Sequence, residues 1–567
     1  MYATLRRLGS VAAVAGVLAA PAVAEAQAPR PKPAPAPVQV QLLALNDFHG
    51  NLEPPTGSSG VIGSPPVPAG GAAYLATHIR ELAASNRNTL VVSAGDLIGA
   101  SPLLSALFHD EPTIEAFNQI GLDFNAVGNH EFDEGLAELL RMQYGNQRGG
   151  NGCHPTDGCQ DGDGFAGASF RFLAANVVDE RTRLPIFAPF AIRTFGTIPV
   201  AFIGMTLEGT PDVTTSSGVA GLDFLDEADT ANFYARVLRL LGVKAIVVLL
   251  HEGGTQTGGI DDCTGISGPI ADIVQRTTDD VDLFVTGHTH QAYRCVIDGR
   301  PVTSASSFGR LVTDIDLTLD RKTRDVASVT TDNVVISRDV TPAADVAALV
   351  ERYKTASAPI ANRVVGSITA DITRAQNPAG ESALGNLIAD AQLSLTATAA
   401  GAQMAFMNPG GIRTDLVFAP SGTELPGQVT YAEAFAVQPF SNLLVTMTLT
   451  GAQVDTLLEQ QWCGQVDPSQ PRIMGPSVGL TYSWSASAPV CDRVSDIRLN
   501  GTPVDPAATY RVTVNSFMAE GGDRFAVLPD GADRVTAPGV DLDALTAYLG
   551  ANSPVAPPAQ NRITRVG

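Results

Sequence analysis

Five short apolar runs in the first half of this chain each end in a potential metal ligand. Residues 42–45 run into Asn46-Asp47-Phe48-His49-Gly50, and residues 90–93 run into Ala94-Gly95-Asp96. Residues 124–127 lead to Gly128-Asn129-His130-Glu131-Phe132-Asp133, residues 246–250 to His251-Glu252-Gly253, and residues 284–286 to Gly287-His288-Thr289-His290. Runs this short, rich in Val, Ile, Leu and Phe and bounded by turn residues, read as strands buried on both faces. They predict strands at 38–45, 89–93, 124–127, 200–203, 245–250 and 283–286, with amphipathic helices such as 72–83 and 231–241 between them. That alternation implies a layered α/β domain, open or sandwiched, with loops gathered at one edge of its sheets. Strand ends converge there, so ligands far apart in sequence can meet.

The donor set is mixed: carboxylates, imidazoles and one amide. It suits a pair of hard or borderline divalent ions such as zinc or manganese and does not suit a soft thiolate site. Two ions about 3.5–4 Å apart need a bridging carboxylate, and a phosphate held across them has its charge neutralised while a water is activated near neutral pH. Asp96 is the best candidate for the bridge. Taken singly, His49 or His251 reads as a hydrogen-bonded structural histidine, Asp96 as a helix cap and Asn129 as a turn residue. Five such residues in order, each at the end of an apolar run, point to chemistry instead.

At 567 residues the chain is too long for one core and long enough for two domains. Its formal net charge of −22 works against binding a nucleic-acid polymer or an anionic membrane, and no stretch after the leader is long and apolar enough to span a bilayer. Arg6 and Arg7, an apolar run at 11–20 and the small-residue pattern Ala22-Val23-Ala24 read as a secretory signal over 1–24. A Pro/Ala tether follows at 25–37. The final residues 562–567 show no apolar tail of the kind that precedes a lipid anchor. Six cysteines in an oxidising compartment predict sequence-local disulfides: Cys153–Cys159, Cys263–Cys295 and Cys463–Cys491. The Gly-rich segment 149–164 around the first pair reads as a surface insertion. Residues 344–356 have Val346, Leu349, Val350 and Tyr353 at helical spacing, a connecting helix with one apolar face. Beyond it, helices at 383–395 and 451–461 mix with strands at 443–449 and 510–514.

The ordered set Asp-x-His, Gly-Asp, Gly-Asn-His-Glu and Gly-His-x-His resembles the calcineurin-like metallophosphoesterases, and the whole chain after the leader resembles the 5′-nucleotidase family within them. The resemblance implies an N-terminal layered β-sandwich metallophosphoesterase domain flanked by helices (38–340), a linker helix or hinge (341–360) and a C-terminal α/β nucleotide-binding domain (361–567). It implies two divalent ions (zinc, manganese or cobalt), one held by Asp47, His49, Asp96 and His290 and the other by Asp96, Asn129, His251 and His288. His130 and Asp133 match the family's catalytic His–Asp dyad. Several relatives end the last motif in an amide, where this chain has His290, so metal preference stays open.

Four stretches in the second half resemble the family's nucleotide pocket: Gly380–Leu387, Asn408-Pro409-Gly410-Gly411-Ile412-Arg413, Gln438-Pro439-Phe440-Ser441-Asn442, and Phe517–Phe525 with its Gly521-Gly522-Asp523. Phe440 and Phe517 suit the two faces of a planar base, a contact worth roughly 1–3 kcal/mol per base. Asp523 suits ribose hydroxyls, and Arg413 offers a planar fork for phosphate. Asn408 belongs to the same loop as Arg413, and Arg374 is the nearest match to a further phosphate-contacting arginine of relatives. The implied activity is 5′-nucleotidase hydrolysis of nucleoside 5′-monophosphates outside the cytoplasm, in a periplasm or beyond the cell, with nucleotide-sugar or diphosphate cleavage as a second activity. The expected partner is a small nucleotide, with no membrane span and an oligomeric state left open. Three alternatives stand beside it: a 2′,3′-cyclic-nucleotide phosphodiesterase with 3′-nucleotidase action, a sulfur-oxidation hydrolase on the same metal domain, and a non-catalytic nucleotide-binding surface protein.

Overall fold

The computed structural model describes residues 36–566 apart from 157, 160, 161 and 163. The expected signal and nearly all of the tether lie outside the described residues. The first half is built on two six-stranded sheets. In one, the strand Val38–Leu45 lies parallel to Thr89–Ser93, which leads on through Phe124–Ala126 to Arg171–Leu173. The antiparallel strands Leu311–Asp320 and Asp325–Val335 complete its other edge. In the second sheet, Ala245–His251 is central, parallel to Ile198–Thr206 on one side and Leu283–Thr286 on the other.

Side chains from both sheets share one core. Val40, Leu42, Val92 and Phe124 of the first meet Val200, Phe202, Val247 and Val285 of the second. Alternate residues of the same strands point outward and are covered by helices. Ala72–Ala83, Glu111–Ile120 and Gly135–Tyr144 pack on the first sheet, and Glu227–Leu240 and Pro269–Arg276 on the second. Strands buried on both faces therefore follow from the continuous apolar runs, and the result is a four-layered sandwich. Parallel neighbours in both sheets point the same way, so the turns after Leu45, Ser93, Ala126, His251 and Thr286 gather at one edge.

The helix Ala344–Ala361 buries Val346, Leu349 and Tyr353 in the first core and carries Pro359 in its last turn. Beyond it, a five-stranded sheet is ordered Gly475–Pro476, Met404–Met407, Thr509–Asn515, Leu443–Thr450 and Ala532–Val540. The long helix Ala383–Ala400 and the helix Asp541–Asn552 pack with this sheet. Leu103 of the first half is buried among Leu384, Met407, Ile412 and Phe435 of the second, so the two halves meet in one packed seam. The disulfides form as expected, Cys153–Cys159, Cys263–Cys295 and Cys463–Cys491, each within one half. Among the described residues no helix is long and apolar enough to cross a membrane.

Candidate active site

The strand-end turns bring Asp47, His49, Asp96, His251 and His290 into one buried cluster. Asp47, His49 and His290 each place a donor atom within 4.8 Å of the others, and so do Asp47, Asp96 and His251. His49 Nε2 lies 3.1 Å from His290 Nε2, and 3.6 Å from Asp96 Oδ2. His290 Nε2 is 3.3 Å from Asp47 Oδ1, and His251 Nε2 is 3.0 Å from Asp96 Oδ2. Asp96 thus stands between His49 and His251. On the cavity side, His288 Nδ1 is 3.0 Å from Asn129 Oδ1. The close fit depends on Gly128, where a Cβ would come 2.2 Å from Asp96 Oδ1.

The hydrogen bonds around the rings determine which nitrogens hold protons. His49 Nδ1 is 2.8 Å from the Gly99 carbonyl and His251 Nδ1 is 2.7 Å from that of Ala94. A carbonyl can only accept, so each Nδ1 donates and each Nε2 is left with a lone pair aimed into the cluster. Burial holds His49 well below its ordinary pKa, against the pull of Asp96, and holds His288 down to about 3, with His251 adding to the effect. These rings are neutral donors. His251 Nε2 is buried and has no hydrogen bond despite its 3.0 Å approach to Asp96. A lone pair and a carboxylate oxygen facing each other at that range repel unless a cation or a proton lies between them. A proton alone would be held tightly: burial opposes it, but Asp96 and Asp47 would set the His251 pKa at about 10. The His49 lone pair and the His290 Nε2 that faces it, beside two buried carboxylates, are a donor set that suits divalent cations.

Two residues support the cluster that the motif pattern did not mark for a role. Glu131 accepts from the N–H groups of Asp96, Leu97 and Gly128 and from Asn125 Nδ2, at 2.6–3.0 Å. One carboxylate therefore clamps two strand-end turns and the strand that leads into the second. Burial and the nearby Asp96 push its pKa up to about 7 against those donors. Asn46 Nδ2 donates to Asp47 Oδ2 at 2.6 Å and to Ser306 O at 2.7 Å, while its Oδ1 accepts from Ala305 N–H. Both lie inside the quoted motifs, and adjacency to a ligand was the available signal.

His130 and Asp133 are paired, with Nδ1 2.9 Å from Oδ2, and the His130 N–H donates to Asp96 Oδ1 at 2.9 Å. Burial works against the charged form of His130, but Asp133 and Asp96 overcome it and raise its pKa. The dyad faces a cavity of about 670 Å³ that both halves line. Asn129, His130, Asp133 and His288 come from the first half; Asn408, Arg413, Phe440, Phe517 and Asp523 come from the second. The Phe440 ring lies 5.6 Å from that of His130 with 21° between planes, and Arg413 Nη2 is 3.5 Å from His49 Nε2. Gly522 leaves room for Phe517, since a Cβ there would sit 2.5 Å from its ring. Asp523 is buried, accepts from Asn408 Nδ2 at 2.7 Å and pairs with Arg472. Asn515 Nδ2 in turn donates to Asn408 Oδ1 at 2.9 Å.

Arg374 is not among the cavity-lining residues. Its Nη1 donates to the Arg413 carbonyl at 2.7 Å and its Nη2 to Ser59 Oγ at 3.0 Å, which sets it behind Arg413. Arg472 and Asn515 line the cavity and carry no sequence signal: they are tied to their partners Asp523 and Asn408 across 51 and 107 residues of chain.

Residues 40–292 match the family model for calcineurin-like phosphoesterases, and residues 364–530 match that for the 5′-nucleotidase C-terminal domain. The chain is 31% identical over 535 residues to the endonuclease YhcR of Bacillus subtilis, covering 92% of this chain and 40% of that one. It is 32% identical over 543 residues to the cell wall protein Lmo0130 of Listeria monocytogenes, covering 90% and 66%. The chain therefore spans less than two thirds of the length of both relatives. Among solved structures, a 5′-nucleotidase precursor from Thermus thermophilus superposes with a TM-score of 0.76 at 26% identity, covering 93% of this chain and 99% of that one.

Proposed function

This chain belongs to the 5′-nucleotidase family of calcineurin-like metallophosphoesterases, and from that premise we propose that it hydrolyses nucleoside 5′-monophosphates to nucleoside and phosphate. The observation that carries the reading is the shared cavity, where Phe440 from one half stacks beside His130 from the other. A phosphate and a base are thereby served by opposite walls of one space.

Asp47, His49, Asp96 and His290 would hold one divalent ion, and Asp96, Asn129, His251 and His288 a second. When bound, such a pair supplies Lewis-acid charge for the phosphoryl oxygens and a water activated near neutral pH. His130, oriented by Asp133, donates to the phosphoryl or leaving oxygen. Arg413 neutralises phosphate from the far wall, and Arg374 fixes the Arg413 backbone. Phe440 and Phe517 take the faces of the base, while Asp523, aligned by Asn408 and Arg472, accepts from ribose hydroxyls. The domains are taken as 38–340 and 361–567, with the hinge at the Pro359 end of the helix between them, where the packed turns of Val346 to Tyr353 give way to the seam. Three disulfides support an exported protein, in a periplasm or outside the cell.

A second reading is phosphodiester cleavage, as in a 2′,3′-cyclic-nucleotide phosphodiesterase with 3′-nucleotidase action. It draws on the relative named as an endonuclease, while the net charge of −22 keeps the substrate small. A sulfur substrate has no base for Phe440 and Phe517. The test is phosphate release by metal-depleted protein resupplied with manganese, zinc or cobalt, using AMP, UDP-glucose, 2′,3′-cyclic AMP and p-nitrophenyl phosphate. Metal-dependent release from AMP well above p-nitrophenyl phosphate is the expected result. Preference for the cyclic substrate would move the assignment to the second reading, and no release from any would move it to the non-catalytic binding protein.

A further inference from the structure

The first half holds another group of metal-type donors, away from the strand-end cluster. His109, Glu134 and His154 each place a donor atom within 4.8 Å of the other two. His109 Nδ1 is 2.8 Å from Glu134 Oε2, and the rings of His109 and His154 stack with centroids 3.4 Å apart and 26° between planes. Three separate segments supply them. His109 sits at φ 52° in the turn before the helix Glu111–Ile120, Glu134 directly follows Asp133, and His154 lies in the loop closed by Cys153–Cys159.

That loop is fastened from below. The N–H groups of His154 and Cys159 donate to the two oxygens of Glu111, at 2.9 and 2.6 Å. Glu111 is fully buried and paired with Arg141, whose guanidinium also grips Glu138. The His154 backbone is therefore held by a buried ion pair as well as a disulfide, an arrangement that an idle surface loop does not need.

We propose that His109, Glu134 and His154 form a third cation site, for a single borderline divalent ion such as Zn²⁺, at the exposed rim of the cavity. Two imidazoles and one carboxylate are a zinc donor set that leaves a fourth position for water. Stacked imidazoles at this separation repel if both are charged, and a shared cation allows both to be neutral. Donors around a tetrahedral zinc stand roughly 3.3 Å apart and an imidazole binds in its own ring plane, so the two rings must turn out of their stack to aim at one ion. His109 and Glu134, with side chains 21% and 46% exposed, have the room to adjust. Both line the cavity, and Glu134 adjoins the dyad's Asp133. An ion here ties the stapled loop to the dyad's own turn, so its occupancy slows turnover without displacing the central ions. The binding claim is independent of the substrate reading; only the inhibition rests on it.

The full chain is dialysed against micromolar free zinc and its metal content counted, alongside His109→Gln, His154→Ala and Asp96→Asn. Each of the two rim variants is expected to hold one zinc fewer per chain than wild type, while Asp96→Asn keeps the rim ion and loses zinc from the centre. His154→Ala, at a half-buried loop residue that is not among those lining the cavity, should leave phosphate release at low zinc unchanged and require at least tenfold more zinc for inhibition. Equal zinc content in wild type and both rim variants overturns the proposal, whatever the enzyme's substrate proves to be.

Discussion

On one wall of the cleft, Asp47, His49, Asp96, His288 and His290 all stand at positive φ, between 48° and 70°. Non-glycine residues adopt that conformation at a cost of about 1–3 kcal/mol each where it is strained, and keep it only where surroundings over-determine it. Here they do: Asp47 N–H donates to Gly95 O, His49 N–H to Asp96 O and Phe308 N–H to Asp47 O, at 2.7–3.0 Å. On the opposite wall, Phe440 lies between the helix Tyr431–Val437 and the strand Leu443–Thr450, and Phe517 rides on the short helix Ser516–Ala519. Both aromatic side chains are part-exposed. One wall is fixed to the ends of buried strands and the other is carried on connections. On the proposed reading, the wall at the strand ends meets the phosphate, which every substrate shares, and the wall carried on connections meets the base, which differs.

That contrast predicts how damage should divide. His251→Ala removes a fully buried donor beside Asp96 and should cost on the order of 10³-fold or more in kcat, equally for AMP and p-nitrophenyl phosphate, with loss of bound metal. His130→Ala should cost about 10²–10⁴-fold on both substrates with metal content unchanged. Phosphate release and metal analysis on the same preparations check both. A strand-end variant that spared p-nitrophenyl phosphate would break the comparison.

Changes on the connecting segments should be smaller and selective. Phe440→Ala or Phe517→Ala removes one face for the base, worth about 1–3 kcal/mol, or roughly 5–150-fold in kcat/KM for AMP. The rate on p-nitrophenyl phosphate should hardly move. An equal loss on both substrates would mean that Phe440 acts through its stack on His130 and not through a base.

The contrast also explains what could be read from the sequence. The strands Val38–Leu45, Thr89–Ser93 and Leu283–Thr286 and the helix Ala72–Ala83 match the expected ranges because apolar runs and turn residues mark their ends. The helix expected at 231–241 begins earlier, at Glu227, because Asp226 caps it and its first turn is polar. The buried donors were legible because each follows a strand. Glu131 stood in the motif, but its role needs two turns brought together in space. Arg472 had nothing to announce it: it lies in an irregular stretch, and its partner Asp523 is 51 residues away. Arg374 is near the pocket in sequence, yet its guanidinium turns to Ser59 and the Arg413 backbone.

The smallest predicted effect compares the two halves by a property unconnected with metal. Each holds a carboxylate whose pKa desolvation pushes up to about 7: the half-buried Asp282, accepting from Ile246 N–H, and the buried Asp541, accepting from Leu542 N–H. An unfolded aspartate titrates near 3.9, so between about pH 4 and pH 7 the folded chain binds more protons than the unfolded one. Stability from these groups is therefore greatest at the acidic end and falls as pH rises through about 7. Asp541→Asn should flatten that fall, raising Tm at pH 8 by about 1–3 °C relative to wild type and changing little at pH 5. Asp282→Asn should do the same. Asp541 differs in one respect, because its backbone N–H donates to the carbonyl of Asn442, which lines the cavity beside Phe440. Thermal melts at the two pH values, paired with KM for AMP, separate the cases. A shift in KM with Asp541→Asn but not with Asp282→Asn would show that the recognition wall takes its shape from the packing beneath it, as its looser attachment implies.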